Sequence, residues 1–349
     1  MGIIRRHLLE SLDELPEELG RAGFPAFRTR QVVQWVCGRR TVDPDAMSNL
    51  PRNLREFLSD HYETGAPAAV KEILRSSDGT EKLLLELGDG EVIEMVLIPA
   101  PGRITACLST QDGCPVRCRF CASGRDGLKR NLTAAEIIGE LYAAGDILGK
   151  LPDNIVFMGI GEGLLNFDNL ARALEFFSSP ERLGISPRRI TVSTSGIVPG
   201  IKRLAELGKP FNLAVSLHAP DEETRAKIIP DACRCPIDEI IAAAADYARA
   251  VNRMPTLEYT LLAGVNDAPR QAEALAGIAA SIHAKINLIA CNPVDDAWRR
   301  PEQRVIDNFL KILQREGAHA TLRVEKGSSR NSACGQLRAS RRTPTEDRS

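Results

Sequence analysis

The feature that most constrains this 349-residue chain is an alternation of short β-rich runs with amphipathic stretches through its middle and C-terminal parts. The runs occupy 104–109, 155–160, 190–193, 213–217, 257–262 and 286–289. Between them, 134–148, 170–177, 201–207, 271–282 and 305–315 carry apolar residues at helical spacing. Six such β-α units predict a parallel sheet, and a partial barrel is the natural closure for that number. The expected fold is therefore α/β, a partial (β/α)6 TIM-like barrel over residues 101–330. Residues 1–65 read as a small N-terminal helical accessory domain with no β alternation. Residues 66–100 read as a β-hairpin connector turning at Asp78-Gly79 and Asp89-Gly90, and 331–349 as a C-terminal tail.

Barrels of this kind gather their active sites at the C-terminal ends of the strands. Polar clusters lie there: 109–124 after the first run, 159–166 after the second, 193–196 after the third, 216–218 after the fourth and Asn292 after the sixth. A net charge of −1 gives no global positive field, so nucleic-acid binding has to rest on local basic surface. The N-terminal apolar stretch is broken at Glu10, Asp13 and Glu14, unlike a secretory signal. No apolar run approaches the roughly 18–20 residues of a membrane helix. The expectation is a soluble, cytoplasmic protein with no membrane partner. Nine cysteines, an odd number in a chain too large to need disulfide staples, also fit a reducing compartment.

Three of those cysteines form Cys114-x3-Cys118-x2-Cys121, in a loop between a strand and a helix where Gly113, Pro115 and Gly124 allow tight turning. Three thiolates in so short a span can face one inorganic centre. A structural zinc site would close with four ligands, usually as two separated pairs, and the distant Cys233-x-Cys235 does not supply a matching one. Three ligands on a 4Fe–4S cluster instead leave one iron open. A radical S-adenosylmethionine (SAM) enzyme uses that vacancy to chelate the amino-acid end of its cofactor. Phe120, between the second and third cysteines, would shield such a cluster from water.

From residues 12 to 337 the chain resembles the RlmN/Cfr-type radical SAM RNA methyltransferases, which modify carbon 2 or carbon 8 of an adenine. The resemblance rests on CLSTQDGC at 107–114, GLKRNL at 127–132, MGIGE at 158–162, STSG at 193–196, SLH at 216–218, NLIACNP at 287–293 and ACGQL at 333–337. The segment around 24–35 also matches. The resemblance implies a 4Fe–4S cluster on Cys114, Cys118 and Cys121, and two SAM per turnover. It implies that Cys334 carries an S-methylcysteine intermediate, that Cys107 resolves it through a transient disulfide, and that Glu94 is the proton acceptor. Gly161 and Glu162 would hold the amino group of SAM, and Ser193, Ser216, Leu217, His218 and Asn292 the rest of it. The implied partners are RNA, namely 23S rRNA with tRNA as a second substrate, and a one-electron donor such as flavodoxin or ferredoxin. The expected state is a monomer.

Taken by position alone, Cys107 is equally a buried strand cysteine, Glu94 a solvated strand residue and His218 a core or surface histidine. Residues 1–65, with nine Lys/Arg against ten Asp/Glu, are either a cap on the barrel or an RNA dock. Lys129, Arg130, Arg338, Arg341 and Arg342 read as phosphate contacts or as solvated charges. Cys37, Cys233, Cys235 and Cys291 have no motif role. The chain departs from the family at Gly163, where Pro is common, and at 328–332, where an acidic stretch is usual. Leu132 and 186–189 occur in a context reminiscent of carbon 8 enzymes, whereas 107–114 follows the carbon 2 pattern, which is favoured. The alternatives are a radical SAM enzyme on another substrate, a paralogue with an altered RNA target, or a non-catalytic metal-binding RNA-binding protein.

Overall fold

The structure, a computed structural model, describes residues 5–230, 235–293, 297–323, 326–327 and 335–337. Expectations for Cys233, Cys334, 328–332, Arg338, Arg341 and Arg342 lie outside the described residues. The N-terminal segment contains helices α1 (Leu15–Arg21), α2 (Phe27–Val33) and α3 (Arg52–His61). Its first and last parts also meet as a two-residue parallel pair, Arg6–His7 with Tyr62–Glu63, too short to show any alternation in sequence. Leu8, Leu15, Leu54 and Leu58 are fully buried and share one apolar core with the barrel. Polar ties reinforce this seating: Tyr142 Oη donates to the Val36 carbonyl at 2.6 Å, and Glu10 accepts from the Ala135 N–H at 3.1 Å.

The main sheet runs β1 (Ala68–Arg75), β2 (Glu81–Leu87), β3 (Val92–Ala100), β4 (Arg103–Cys107), β5 (Asn154–Phe157), β6 (Ile190–Thr194), β7 (Asn212–Ser216), β8 (Thr256–Leu261), β9 (Lys285–Ala290) and β10 (Ala320–Leu322) in spatial as well as chain order. β1 to β4 pair antiparallel and β4 to β10 parallel, so the hairpin continues the barrel sheet as its antiparallel edge. Helices α4 (Ala134–Leu148), α5 (Phe167–Ser178), α6 (Val198–Glu206), α7 (Glu222–Ile228), α8 (Ile237–Val251), α9 (Pro269–Ser281) and α10 (Gln303–Arg315) occupy the crossovers. α4 starts at a capping box between Thr133 and Glu136 and stops at Gly149, whose φ is 68°.

Strand periodicity sets what the barrel encloses. In β8, Leu257, Tyr259 and Leu261 belong to the apolar core beneath the helices, whereas Thr256, Glu258 and Thr260 line interior cavities. β9 repeats this, with Ile286 and Leu288 in the core and Lys285, Asn287 and Ile289 inside. After β10, the Gly327 N–H donates to Asp78 at 2.9 Å, tying that end of the sheet to the β1–β2 turn.

Candidate active site

The cysteine loop leaves β4 and folds back on itself, Gln111–Gly113 pairing antiparallel with Leu128–Asn131. Gly113 sits at φ 79°, and a Cβ there would lie 2.0 Å from the Gly127 carbonyl oxygen; at Gly124 it would lie 2.7 Å from the Arg117 Cα. The loop therefore closes only with glycine at these two positions. The Cys114 N–H donates to Gly127 at 2.9 Å and that of Cys121 to Cys118 at 3.0 Å. All three cysteines line one cavity at the C-terminal ends of the strands, backed by buried Val116, Ile228, Ile229 and Leu262.

Burial pushes the Cys114 thiol up to about 12 and the Cys118 thiol well above its ordinary range, so a metal has to displace protons to bind. Among the described residues no three His, Cys, Asp or Glu converge as a site for a single ion. Three thiols from one loop, half-buried on an apolar backing and facing a shared cavity, do suit a 4Fe–4S cluster with one iron left open.

The opposite wall is polar. Glu162 is buried, accepts from the Ser195 N–H at 2.7 Å and the Leu164 N–H at 3.2 Å, and is raised by burial above the usual carboxylate range. Its own N–H donates to Gln111 Oε1 at 2.8 Å, fastening this segment to the cysteine loop. Gly161, Ser193, Ser216 and Asn292 line the same cavity. His218 joins them with φ 58° and accepts from the Thr260 N–H through Nδ1 at 3.1 Å, which leaves its proton on Nε2. Burial, then the nearby Arg225 charge, lowers its pKa to about 3. Phe120 packs edge-on against its ring at 5.0 Å. Leu217 is not among the lining residues: its side chain is in the core, its N–H donates to Glu258 and its carbonyl accepts from Arg225. Gly163 is the first residue of a 3-10 turn behind Glu162, where a Cβ would lie 3.1 Å from the Leu170 side chain.

Cys107 ends β4 on its inward face and shares a buried apolar cluster with Val96, Ile160 and Leu337. The tail is fixed there by two further bonds, from the Ala122 N–H to the Gly335 carbonyl at 2.7 Å and from Ser123 Oγ to the Leu337 carbonyl at 2.6 Å. Gly335, which follows Cys334 in the chain, lines the cysteine cavity. Glu94 is buried rather than solvated and pairs with Lys82 at 3.0 Å; it lines neither interior cavity. Lys129 pairs with Glu91 and Asp112, and Arg130 with Asp89 and Glu136, so these cations are engaged within the protein. Leu132 is core, and 187–189 precede β6 at the end of the strand away from the cysteines.

A radical SAM superfamily profile matches residues 108–275, and the profile of a ribosomal RNA large subunit methyltransferase N-terminal domain matches 9–64. A probable dual-specificity RNA methyltransferase RlmN from Akkermansia muciniphila is 46% identical over 90% of each chain. A second, from Opitutus terrae, is 43% identical over 94% of this chain and 93% of its own. The crystal structure of a radical SAM methyltransferase from Sphaerobacter thermophilus superposes with a TM-score of 0.90 at 40% identity, covering 96% of this chain and all of that one. The chain belongs to the RlmN family.

Its radical SAM domain implies a 4Fe–4S cluster and SAM. In this RlmN-family chain the barrel assembles several further residues that no sequence motif marks. Glu258 and Thr260 line the cavity from β8, Arg323 enters it after β10, and the fully buried Arg225 ties the carbonyls of Ser195, Leu217 and Cys235 together beneath it. The available signal was the polar half of Thr256-Leu257-Glu258-Tyr259-Thr260-Leu261. A plain barrel interior would carry branched apolar residues there.

Proposed function

We propose that the chain methylates an adenosine ring carbon, carbon 2 in preference to carbon 8, in 23S rRNA and tRNA through an S-methylcysteine on Cys334. The observation that carries this reading is the anchoring of Gly335–Leu337 between the cysteine loop and Cys107, which brings the tail to the same cavity as the three loop cysteines. An adenine ring carbon is electrophilic and does not attack the methyl of SAM, so the methyl has to reach it by another route. When bound, the cluster and SAM supply the methyl group and a 5′-deoxyadenosyl radical.

Cys114, Cys118 and Cys121 hold the cluster, Glu162 receives the amino group of SAM, and Ser193, Ser216, His218 and Asn292 line the space for the remainder. Cys334 takes the methyl group from the first of two SAM molecules. Loss of a hydrogen atom from this S-methyl group leaves a methylene that bonds to the ring carbon. The adduct then returns one electron to the oxidised form of the one-electron carrier and passes its ring proton to Glu94, which pairs with Lys82 at 3.0 Å. Cys107 attacks the Cys334 sulfur, forming a disulfide and breaking the sulfur–methylene bond; a proton completes the new methyl, and external thiols return two electrons to the disulfide. A cytoplasmic setting and a donor of the flavodoxin or ferredoxin class fit this cycle, with residues 1–65 as a docking unit on a monomer.

Cys107→Ala tests the assignment. Incubated anaerobically with SAM, reductant and RNA, it should accumulate a covalent protein–RNA species on a denaturing gel, and Cys334→Ala should not. Release of methylated RNA at the parental rate by Cys107→Ala contradicts it.

A further inference from the structure

Below the cofactor cavity the barrel does not fill. A second cavity of about 930 Å³ opens at the N-terminal ends of the strands and shares Met158, Glu258 and Arg323 with the first. Its walls are the inward residues Thr105, Thr191, Thr256 and Asn287, and Arg103, Arg253 and Lys285 stand at its mouth. Among the described residues five cations, Arg103, Arg253, Lys285, Arg323 and Lys326, line it against two carboxylates, Asp78 and Glu258. A polyanion is the ligand that such a balance favours. Asp78 is committed at the rim, accepting from the N–H groups of Gly327 at 2.9 Å and Thr80 at 3.0 Å. Glu258 lies deep, 4% exposed, at the neck between the two cavities.

We infer that this lower cavity receives the acceptor adenosine of the RNA, its base rising through the mouth to dock an edge on Glu258 while Arg103, Arg253 and Lys285 hold flanking phosphates. The inference rests on the RNA methyltransferase reading and adds the route and the recognising residue. Adenine presents a donor and an acceptor side by side, its amino group next to a ring nitrogen. A protonated carboxyl matches that pair, whereas an ionised one offers two acceptors, the complement of guanine.

Glu258 suits the first role. Its Oε2 accepts from Asn287 Nδ2 at 2.7 Å, and among the described residues nothing hydrogen-bonds its Oε1. Its neighbours across the sheet are Ser216 on β7 and Asn287 on β9, and among the described residues the charge that faces it is Arg323. Burial raises its pKa; the Arg323 charge and the Asn287 hydrogen bond oppose that rise only in part.

The test combines steady-state methylation of in vitro transcribed 23S rRNA with anisotropy binding of the same RNA. Glu258→Ala should lose about 10–100-fold in kcat/KM for RNA, the range of one bidentate base contact. Glu258→Gln, whose amide presents the same donor and acceptor, should recover to within about 3-fold of the parent. The double variant Arg103→Ala, Lys285→Ala should weaken RNA binding and lower the salt slope by about two, one for each phosphate contact removed. A Gln variant as poor as Ala, a matching loss of SAM affinity in Glu258→Ala by equilibrium dialysis, or an unchanged salt slope in the double variant overturns the inference. If the parent enzyme itself makes no methylated adenosine in this assay, the RNA methyltransferase reading fails instead.

Discussion

His218 shows how a residue's environment assigns its charge. The unfolded chain takes up a proton on this group near pH 6.5, whereas the folded protein holds it neutral down to about 3. Between those values acidification favours unfolding, so the neutral histidine contributes stability that is lost as pH falls. The expected loss from this group between pH 7 and pH 5 is about 2 kcal/mol. Comparing urea unfolding of the parent and His218→Asn at both pH values isolates it, since the variant lacks that part of the pH dependence. At this scale the sequence was most legible where covalent spacing sets the chemistry, as in Cys114, Cys118, Cys121 and the Gly161-Glu162 pair. Glu258 was illegible because what gives it meaning comes from Asn287 on the next strand and Arg323 after β10.

Among the elements, α4 was readable to both ends because Thr133, Glu136 and Gly149 announce its caps. It also carries a liability that its pattern conceals. Glu140 is fully buried and among the described residues accepts only the Ser109 N–H, at 3.0 and 3.2 Å to its two oxygens, and burial raises its pKa well above the usual carboxylate range. A carboxyl with a raised folded pKa contributes stability at low pH that is lost as pH rises above the unfolded value. Glu140→Gln removes that dependence, so the unfolding midpoint of the variant should gain on the parent steadily from pH 5 to pH 8 in thermal melts. A constant difference across that range would show that Glu140 titrates as it does in the unfolded chain. Three other elements escaped sequence reading. β10 has only three residues and no alternation to count, while α7 and α8 follow one another after β7 and break the strict β-α rhythm.

In the whole molecule, two ends of one interior meet at a neck. The cysteine loop, the Glu162 segment and the tail from Gly335 close the upper end, and a basic mouth opens the lower. That division explains how a chain of net charge −1 can engage RNA: the positive field is local, gathered from Arg103, Arg253, Lys285 and Lys326, which are far apart in sequence. Lys129 and Arg130, adjacent and conspicuous in the sequence, are instead consumed by ion pairs with Glu91, Asp112, Asp89 and Glu136. The barrel class was legible from periodicity, since alternation and helical spacing are local. The hollow lower half was not, because it depends on which face of each strand turns inward once the sheet curls.

Nucleoside mass spectrometry reads which ring carbon of an adenosine gains a methyl group. The anaerobically reconstituted protein would be incubated with SAM, a reductant and total RNA from a strain lacking the gene. New 2-methyladenosine is the predicted result, with 8-methyladenosine placing the same chemistry at the neighbouring ring position. SAM cleavage by an intact cluster with no methylated adenosine of either kind would contradict the account.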